Sequence, residues 1–529
     1  MPSRMTPNAA LPPRGTALLL ALVTGLLLFR LGHAPLVGPD EPRYTRVAVE
    51  MHRRGDWIVP TLQGQPWLEK PALYYWMAGG AFSLMGETET AARLPSVLAA
   101  VVLTGLTALV GARLYGAGAG LHAGFIAGTC LLTFAYGRAA AMDMLLAATV
   151  TAAIGLVGLR LLGIAGPMAV TAGGACAGLA LLAKGPLGAL LPTIVALSYL
   201  AAARDRADAW RRMASRLPFA IIALLIVAGP WYFAILRAQG RAFVDTFLLN
   251  HNVARFTSTV HNHPGPIIYY VPVLLAGLFM WPGLTLPGLA SLRPRAPADL
   301  FVLCWLGAPL LFFSAAAAKL PGYILPCVPP LAIAAGRAAD RLVQGDRPGI
   351  AGRAVGLLTV ALGAVAAASP LALREMREPL WTVVIPPAVW ALVASMAVSR
   401  RIGVDPAGAL RILRVGAAGF LLLLTSAAPP LLARRESGRD LFRHTGGQEV
   451  LAWHAWRTAW MAGYFYNDGK VREVSTLAEI TAVAAEGPAL VLCGPAELRI
   501  LRRLSGYAAT VVDEGPREQT LVRLVRLSS

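Results

Sequence analysis

Three of the four lysines in the chain stand just ahead of a proline, in Glu69-Lys70-Pro71, Lys184-Gly185-Pro186 and Lys319-Leu320-Pro321; the fourth is Lys470. Elsewhere arginine carries the positive charge. Lysine is a compact point charge suited to phosphate, and its repetition at the outward ends of apolar stretches points to a cation cluster rather than to separate side chains snorkelling from helix ends. Two acids fall on the same face. Asp40 lies in Gly38-Pro39-Asp40-Glu41-Pro42-Arg43-Tyr44, where an N-cap would sit, with Pro42 in the first turn. A helix N-terminus keeps such a carboxylate ionised, so it reads as a cap or as a base. Asp143, in Arg138-Ala-Ala-Ala-Met142-Asp143-Met144, opens an apolar stretch, where an acid is costly and a functional candidate. Arg138 offers it an ordinary ion pair, although five residues is not ideal helical spacing. In Asn250-His251-Asn252-Val253-Ala254-Arg255-Phe256, His251 and Arg255 share a helix face, and His261 and His263 follow. Those histidines lack a clear acidic neighbour, so the fork of Arg255 toward phosphate is the stronger reading. Carboxylates and several cations at one membrane face suit a glycosyl transfer: a base for an acceptor hydroxyl, and cations for a lipid-linked phosphate.

The elements that must hold these groups are helices in lipid. Of 529 residues 56% are hydrophobic and only 14% charged, and the mean hydropathy is +0.60. A bilayer-crossing helix needs about 20 apolar residues, and thirteen stretches qualify: 16–33, 89–112, 117–136, 140–163, 167–183, 185–203, 217–237, 266–290, 298–318, 320–338, 353–373, 379–398 and 410–433. This excludes a disordered chain and argues against a large soluble enzyme. The net charge of +19 does not imply nucleic acid, because the arginines fall in short loops between apolar stretches. The first stretch has no clean cleavage site after it and reads as a retained helix. The five cysteines show no CxxC or Cys/His metal spacing.

The positive-inside rule places Arg204–Arg216, Arg293 and Arg295, Arg337–Arg353 and Arg400–Arg411 in the cytoplasm. The amino terminus is then inside and the carboxyl terminus outside. Residues 34–88 and 238–265 become outward loops, the first carrying a surface helix with Tyr44, Val47, Ala48 and Met51 on one face. The tail, 434–529, mixes short apolar runs (Ala489–Leu492, Thr510–Val512) with a helical stretch, Leu477–Ala485, and ends in an alternating run from Thr520. It reads as a small extracytoplasmic α/β domain without a catalytic motif.

At these motifs the chain resembles the bacterial branch of the protein O-mannosyltransferase superfamily, and within it the lipid A aminoarabinose transferase group. The resemblance rests on Gly38–Tyr44, Trp67-Leu-Glu-Lys-Pro-Ala-Leu-Tyr-Tyr-Trp76, Arg138–Met144, Lys184–Pro186 and Lys319-Leu-Pro-Gly-Tyr-Ile-Leu-Pro326, and covers about 14–433. It implies an all-α GT-C membrane domain over 1–433, with the α/β tail beyond it. It implies Asp40 as the catalytic carboxylate, supported by Asp143. Lys70, Lys184 and Arg255 would bind the donor phosphate, and Tyr323, with Glu69 and Lys319, would line the donor pocket. Glu69 and His251 correspond to a metal-associated pair in some members, so a divalent cation stays open and no other cofactor is implied. The expected partners are a polyprenyl-phosphate sugar, a lipid or protein acceptor and membrane lipid, not nucleic acid. A cell-envelope glycan as acceptor, or a flippase for a lipid-linked sugar, are the competing readings. A flippase would place its ionisable groups near the midplane of repeated halves; here they sit at outward ends and no repeat is visible.

Overall fold

The structure, a computed structural model, describes residues 10–247, 250, 265–345 and 380–527. It is mostly helical. The elements run α1 (Pro13–Leu28), α2 (Asp40–Arg54), a two-stranded hairpin β1–β2 (Thr61–Leu62 and Gln65–Pro66), α3 (Leu73–Met85), α4 (Glu89–Tyr115), α5 (Ala117–Thr129) and α6 (Leu131–Gly137). Then come α7 (Asp143–Leu161), α8 (Met168–Lys184), α9 (Leu187–Ala202), α10 (Arg206–Ala214), α11 (Leu217–Phe243), α12 (Tyr270–Leu278), α13 (Pro282–Ala290) and α14 (Pro297–Ala315). A 3-10 helix at Pro321–Cys327 leads into α15 (Val328–Val343), followed by α16 (Leu380–Arg401) and α17 (Pro406–Glu436). The last part holds β3 (Val450–Trp453), α18 (Arg457–Met461), α19 (Gly463–Tyr466), β4 (Val471–Val474), α20 (Leu477–Glu486), β5 (Ala489–Cys493), α21 (Pro495–Arg502), β6 (Tyr507–Glu514) and β7 (Thr520–Arg526).

Two compact units result. The first comprises Met1–Phe29, Leu68–Tyr74 and Pro95–Leu424. Its helices approach closely where small residues meet: a Cβ on Gly120 of α5 would lie 2.5 Å from the Ala108 oxygen, and one on Gly336 of α15 would lie 2.5 Å from the Ala119 oxygen. Lipid-facing bundles pack through such contacts because apolar burial between helices gains little in hydrocarbon. Among the described residues five helices, α4, α7, α11, α14 and α17, are long and apolar enough to cross a membrane, and α5 with α6 makes a sixth broken by a 57° bend. The stretch at 266–290 is likewise interrupted, between α12 and α13, where Phe279 turns to φ 49°. The stretch at 320–338 opens as a 3-10 helix around Pro321 and Pro326, and 353–373 lies outside the described residues.

Several arginines expected in the short loops also hold the bundle. Asp299, buried at the start of α14, accepts from Tyr115 Oη at 2.7 Å, Arg337 at 2.6 Å and the Arg293 amide at 2.8 Å. Arg212 donates to the Leu161 oxygen at the end of α7 at 2.7 Å, where a helix C-terminus favours a cation. No disulfide forms; the five cysteines are free.

The second unit comprises Arg30–Trp67, Tyr75–Leu94 and Thr425–Ser529. Its helix α2 buries Tyr44, Val47, Ala48 and Met51 as expected from their spacing, but Glu41–Thr45, Val49 and Glu50 are buried too, so the helix is enclosed on more than the one face that the amphipathic pattern implies. Its sheet has the order β4-β3-β5-β7-β6, with β3 parallel to β4 and β5, and β7 antiparallel to β5 and β6. Leu451, Val491, Val522 and Leu524 pack with Ile480 and Ala484 of α20 in the core. The start of α20 is set by a capping box, Thr476 with Glu479.

Candidate active site

In the first unit, Asp143 is the first residue of α7 and Lys184 the last of α8. Each charge suits its helix end, an anion at the N-terminus and a cation at the C-terminus. Gly185 follows with φ +84°, and Pro186 opens α9, so the Lys-Gly-Pro motif is a tight turn that only glycine enters easily. Lys184 Nζ meets Asp143 Oδ1 at 2.5 Å, with side chains 13% and 19% exposed. The same ammonium lies 4.9 Å from the ring centre of Tyr323. A Cβ on Gly322 would fall 2.6 Å from the Tyr136 ring and 2.8 Å from Asp143 Oδ1, which leaves glycine as the residue that lets the 3-10 helix close on the pair. Asp143, Lys184 and Tyr323, 41 or more positions apart in sequence, are therefore brought together.

Arg138 does not take Asp143. It donates instead to the Leu27 and Phe29 oxygens at the end of α1, at 2.5 and 2.9 Å. Lys70 is buried, with Nζ 3.3 Å from the Glu69 oxygen, while the Glu69 side chain is partly exposed. Lys319 is also buried and donates to the Ala316 oxygen at 2.7 Å, satisfying a carbonyl released at the end of α14. Arg255, His251, His261 and His263 lie outside the described residues. Among the described residues no group of three or more His, Cys, Asp or Glu is placed to hold a metal ion; of the pair Glu69 and His251 only Glu69 is among them.

Asp40 belongs to the second unit. The helix begins one residue earlier than expected: Pro39 is the N-cap, and Asp40 is the first helical residue. Its carboxylate makes no capping bond; it accepts from Arg43 Nη2 at 2.5 Å and is 54% exposed. The Arg43 guanidinium is in turn stacked 5.0 Å from the Trp67 ring and 5.3 Å from Tyr44. Asp40 thus presents an open carboxylate on a braced arginine.

What fixes that helix start is not among the residues expected from the sequence. Arg93, 3% exposed, donates to Glu41 at 3.1 and 2.8 Å and to the oxygens of Leu31, Ala34 and Pro35 at 3.0, 2.7 and 2.7 Å. Glu41 also accepts from the Val37 amide at 2.7 Å. Farther along α2, Glu50 accepts from Arg46, Thr61 and the amides of Gln63 and Gly64 at 2.8 to 3.1 Å, which fastens the β1–β2 hairpin. Burial disfavours the ionised Glu50, but the bonds from Arg46, Gly64 and Thr61 outweigh it and hold the carboxyl below its ordinary range. Asp468 of the tail bridges Arg46 and Arg53 at 2.6 and 2.7 Å. Tyr466 Oη accepts from the Leu36 amide at 2.7 Å.

The family described as dolichyl-phosphate-mannose-protein mannosyltransferase matches residues 69–233. The undecaprenyl phosphate-alpha-4-amino-4-deoxy-L-arabinose arabinosyl transferase of Enterobacter sp. is 32% identical over 62% of this chain and 60% of its own length. The chain therefore spans about 60% of that relative. The crystal structure of ArnT from Cupriavidus metallidurans bound to undecaprenyl phosphate superposes with a TM-score of 0.76 over 97% of this chain and 98% of that one, at 24% identity, and is similar in fold. The Pseudomonas aeruginosa enzyme of the same name as the Enterobacter relative is 32% identical over 70% of this chain and 67% of its own, and with that match the chain belongs to the family of undecaprenyl phosphate-alpha-4-amino-4-deoxy-L-arabinose arabinosyl transferases.

Proposed function

We propose that the protein is an inverting glycosyltransferase of the bacterial inner membrane that moves an aminoarabinose-type sugar from undecaprenyl phosphate to an acceptor hydroxyl or phosphate, with lipid A as the acceptor. The observation that carries the reading is the Lys184–Asp143 pair beside Tyr323, a held cation in a chain of this family. Asp40 accepts the proton of an acceptor hydroxyl as its oxygen attacks the anomeric carbon. The bond from that carbon to the phosphate oxygen breaks, and the polyprenyl phosphate leaves. Lys70, Lys184 and Arg255 meet its charge. Asp143 holds the Lys184 ammonium in place, and Tyr323, Glu69 and Lys319 line the donor pocket. Stabilisation by one such preorganised group is worth roughly 2.7–4 kcal/mol.

In this reading residues 1–433 form the transferase domain, with thirteen spans and an internal amino terminus, and 434–529 form an extracytoplasmic cap. Reporter fusions in 204–216 should read cytoplasmic and fusions after Arg434 extracytoplasmic; both on one side would overturn the count. The match to a protein mannosyltransferase family over 69–233 favours one second reading, a protein hydroxyl as acceptor. Purified protein incubated with a panel of polyprenyl-phosphate sugars and with lipid A or serine- and threonine-bearing peptides, read by mass spectrometry, decides between them. Absence of transfer from every donor would sink both.

A further inference from the structure

The second unit contains a cleft of about 340 Å³ lined by Gln63, Glu449, Trp460, Tyr464, Gly469, Val471, Arg472 and Glu473. It runs along β4, an edge strand of the sheet, so consecutive residues of that strand contribute to it. Gln63 spends its amide hydrogens on the Gly469 and Val471 oxygens at 3.0 and 2.6 Å, which leaves its side-chain oxygen as an acceptor. Arg472 meets Glu449 only through Nε at 3.4 Å, and most of its donors remain for a ligand. Trp460 and Tyr464 stand edge to face, with ring centres 5.6 Å apart. Tyr464 lies on α19, which packs against α2, so the cleft borders the helix that begins at Asp40.

The lining discriminates among ligand classes. An anion would face Glu449 and Glu473 with Arg472 as the sole lining cation. An apolar chain would find little besides Val471 and the two aromatic side chains. A ring bearing many hydroxyls fits: carboxylates and the Gln63 oxygen accept, Arg472 donates, and the narrow edges that the largely buried Trp460 and Tyr464 leave uncovered meet its C–H groups. We infer that this cleft is a saccharide-binding site, separate from the groups assigned to the donor phosphate. Its use in capturing the glycan part of an acceptor rests on the transferase reading; the binding itself does not.

The test is saturation-transfer difference NMR on the full-length protein in detergent, with chitobiose as the probe and no donor or turnover involved. Ring-proton signals are expected with wild type, undiminished by added inorganic phosphate. Glu473→Gln and Arg472→Ala, both at exposed positions, should each weaken binding at least about tenfold, the lower end for a lost charge-assisted bond. Unchanged thermal unfolding of these variants would establish that they fold. The inference is overturned if wild type gives no signal at tens of millimolar probe, if phosphate abolishes the signal, or if both folded variants bind as wild type does. A protein that binds chitobiose yet transfers no sugar would retain this site and lose the transferase reading instead.

Discussion

Arg93 and Glu41 form a two-pronged ion pair with side chains 3% and 6% exposed, and every nitrogen of the guanidinium has an oxygen partner. Isolated, either charge would be expensive at this depth; together, with three backbone oxygens and the Val37 amide, they are saturated. The pair fixes the turn that leads into α2 one residue after Asp40 begins it.

Arg93→Met should therefore destabilise the protein by about 3–5 kcal/mol, because it strands Glu41. Glu41→Gln with Arg93→Met together should cost less than the sum of the single changes. Thermal unfolding in detergent measures both, and additive losses would show that the two groups do not act as a pair.

Asp40→Asn should lower transfer roughly 10²–10⁴-fold, the usual span for loss of a general base. Its side-chain oxygen can still accept from Arg43, and no capping bond is lost because none is made. The unfolding temperature should stay near wild type. Wild-type turnover would reduce Asp40 to a partner of Arg43.

Lys184→Ala should raise the dissociation constant for undecaprenyl phosphate about 10- to 150-fold, the equivalent of one charge-assisted bond. Asp143→Asn should weaken binding less, since it frees the ammonium without removing it. Adding it to Lys184→Ala should change little, because the residue it positions is gone. Lys470→Ala is the control. Tight lipid-phosphate binding by Lys184→Ala would leave that lysine a helix-end cation.

Acid should loosen the second unit. Glu50 has a folded-state value below its ordinary 4.5, so its contribution is fully present above about pH 4.5 and is lost as the pH falls through the folded value. Asp468, held down by Arg46 and Arg53 against the opposing effect of burial, acts in the same direction. Unfolding temperature measured against pH should fall on acidification, and Glu50→Gln should flatten that fall. An identical slope in the variant would refute the assignment.

The sequence revealed the chemistry-bearing residues better than their partners. Asp143 stood out because an acid is costly near lipid, yet its partner is 41 positions away, beyond any local rule. The nearer Arg138 serves the end of α1, where released carbonyls need donors. The expected cap at Asp40 shifted by one residue because Arg93 and the Val37 amide anchor Glu41 and with it the helix start, which leaves the Asp40 carboxylate to pair with Arg43. Arg93 was legible by the argument that selected Asp143, since it too lies within an apolar stretch. Periodicity marked the helix and strand runs of the tail, but on α2 it found only part of what is buried, because Glu41, Arg43 and Glu50 are buried through their polar partners rather than through apolar spacing. Strand order was not legible, because β3 pairs with both β4 and β5 and short apolar runs do not encode which neighbour they take.

The ties on α2 differ in when they can form. Arg93 is separated from Glu41 by 52 residues, whereas Asp468 follows Arg46 by 422. At about 5–20 residues per second a ribosome needs roughly 20–80 s to supply that second partner. During that interval Arg46 lacks its tail partner, and the early pair with Arg93 is what can keep the start of the helix in register. Completion of this segment belongs to the end of synthesis, so a nascent chain that stalls within the membrane helices would carry its Asp40 helix only half fastened.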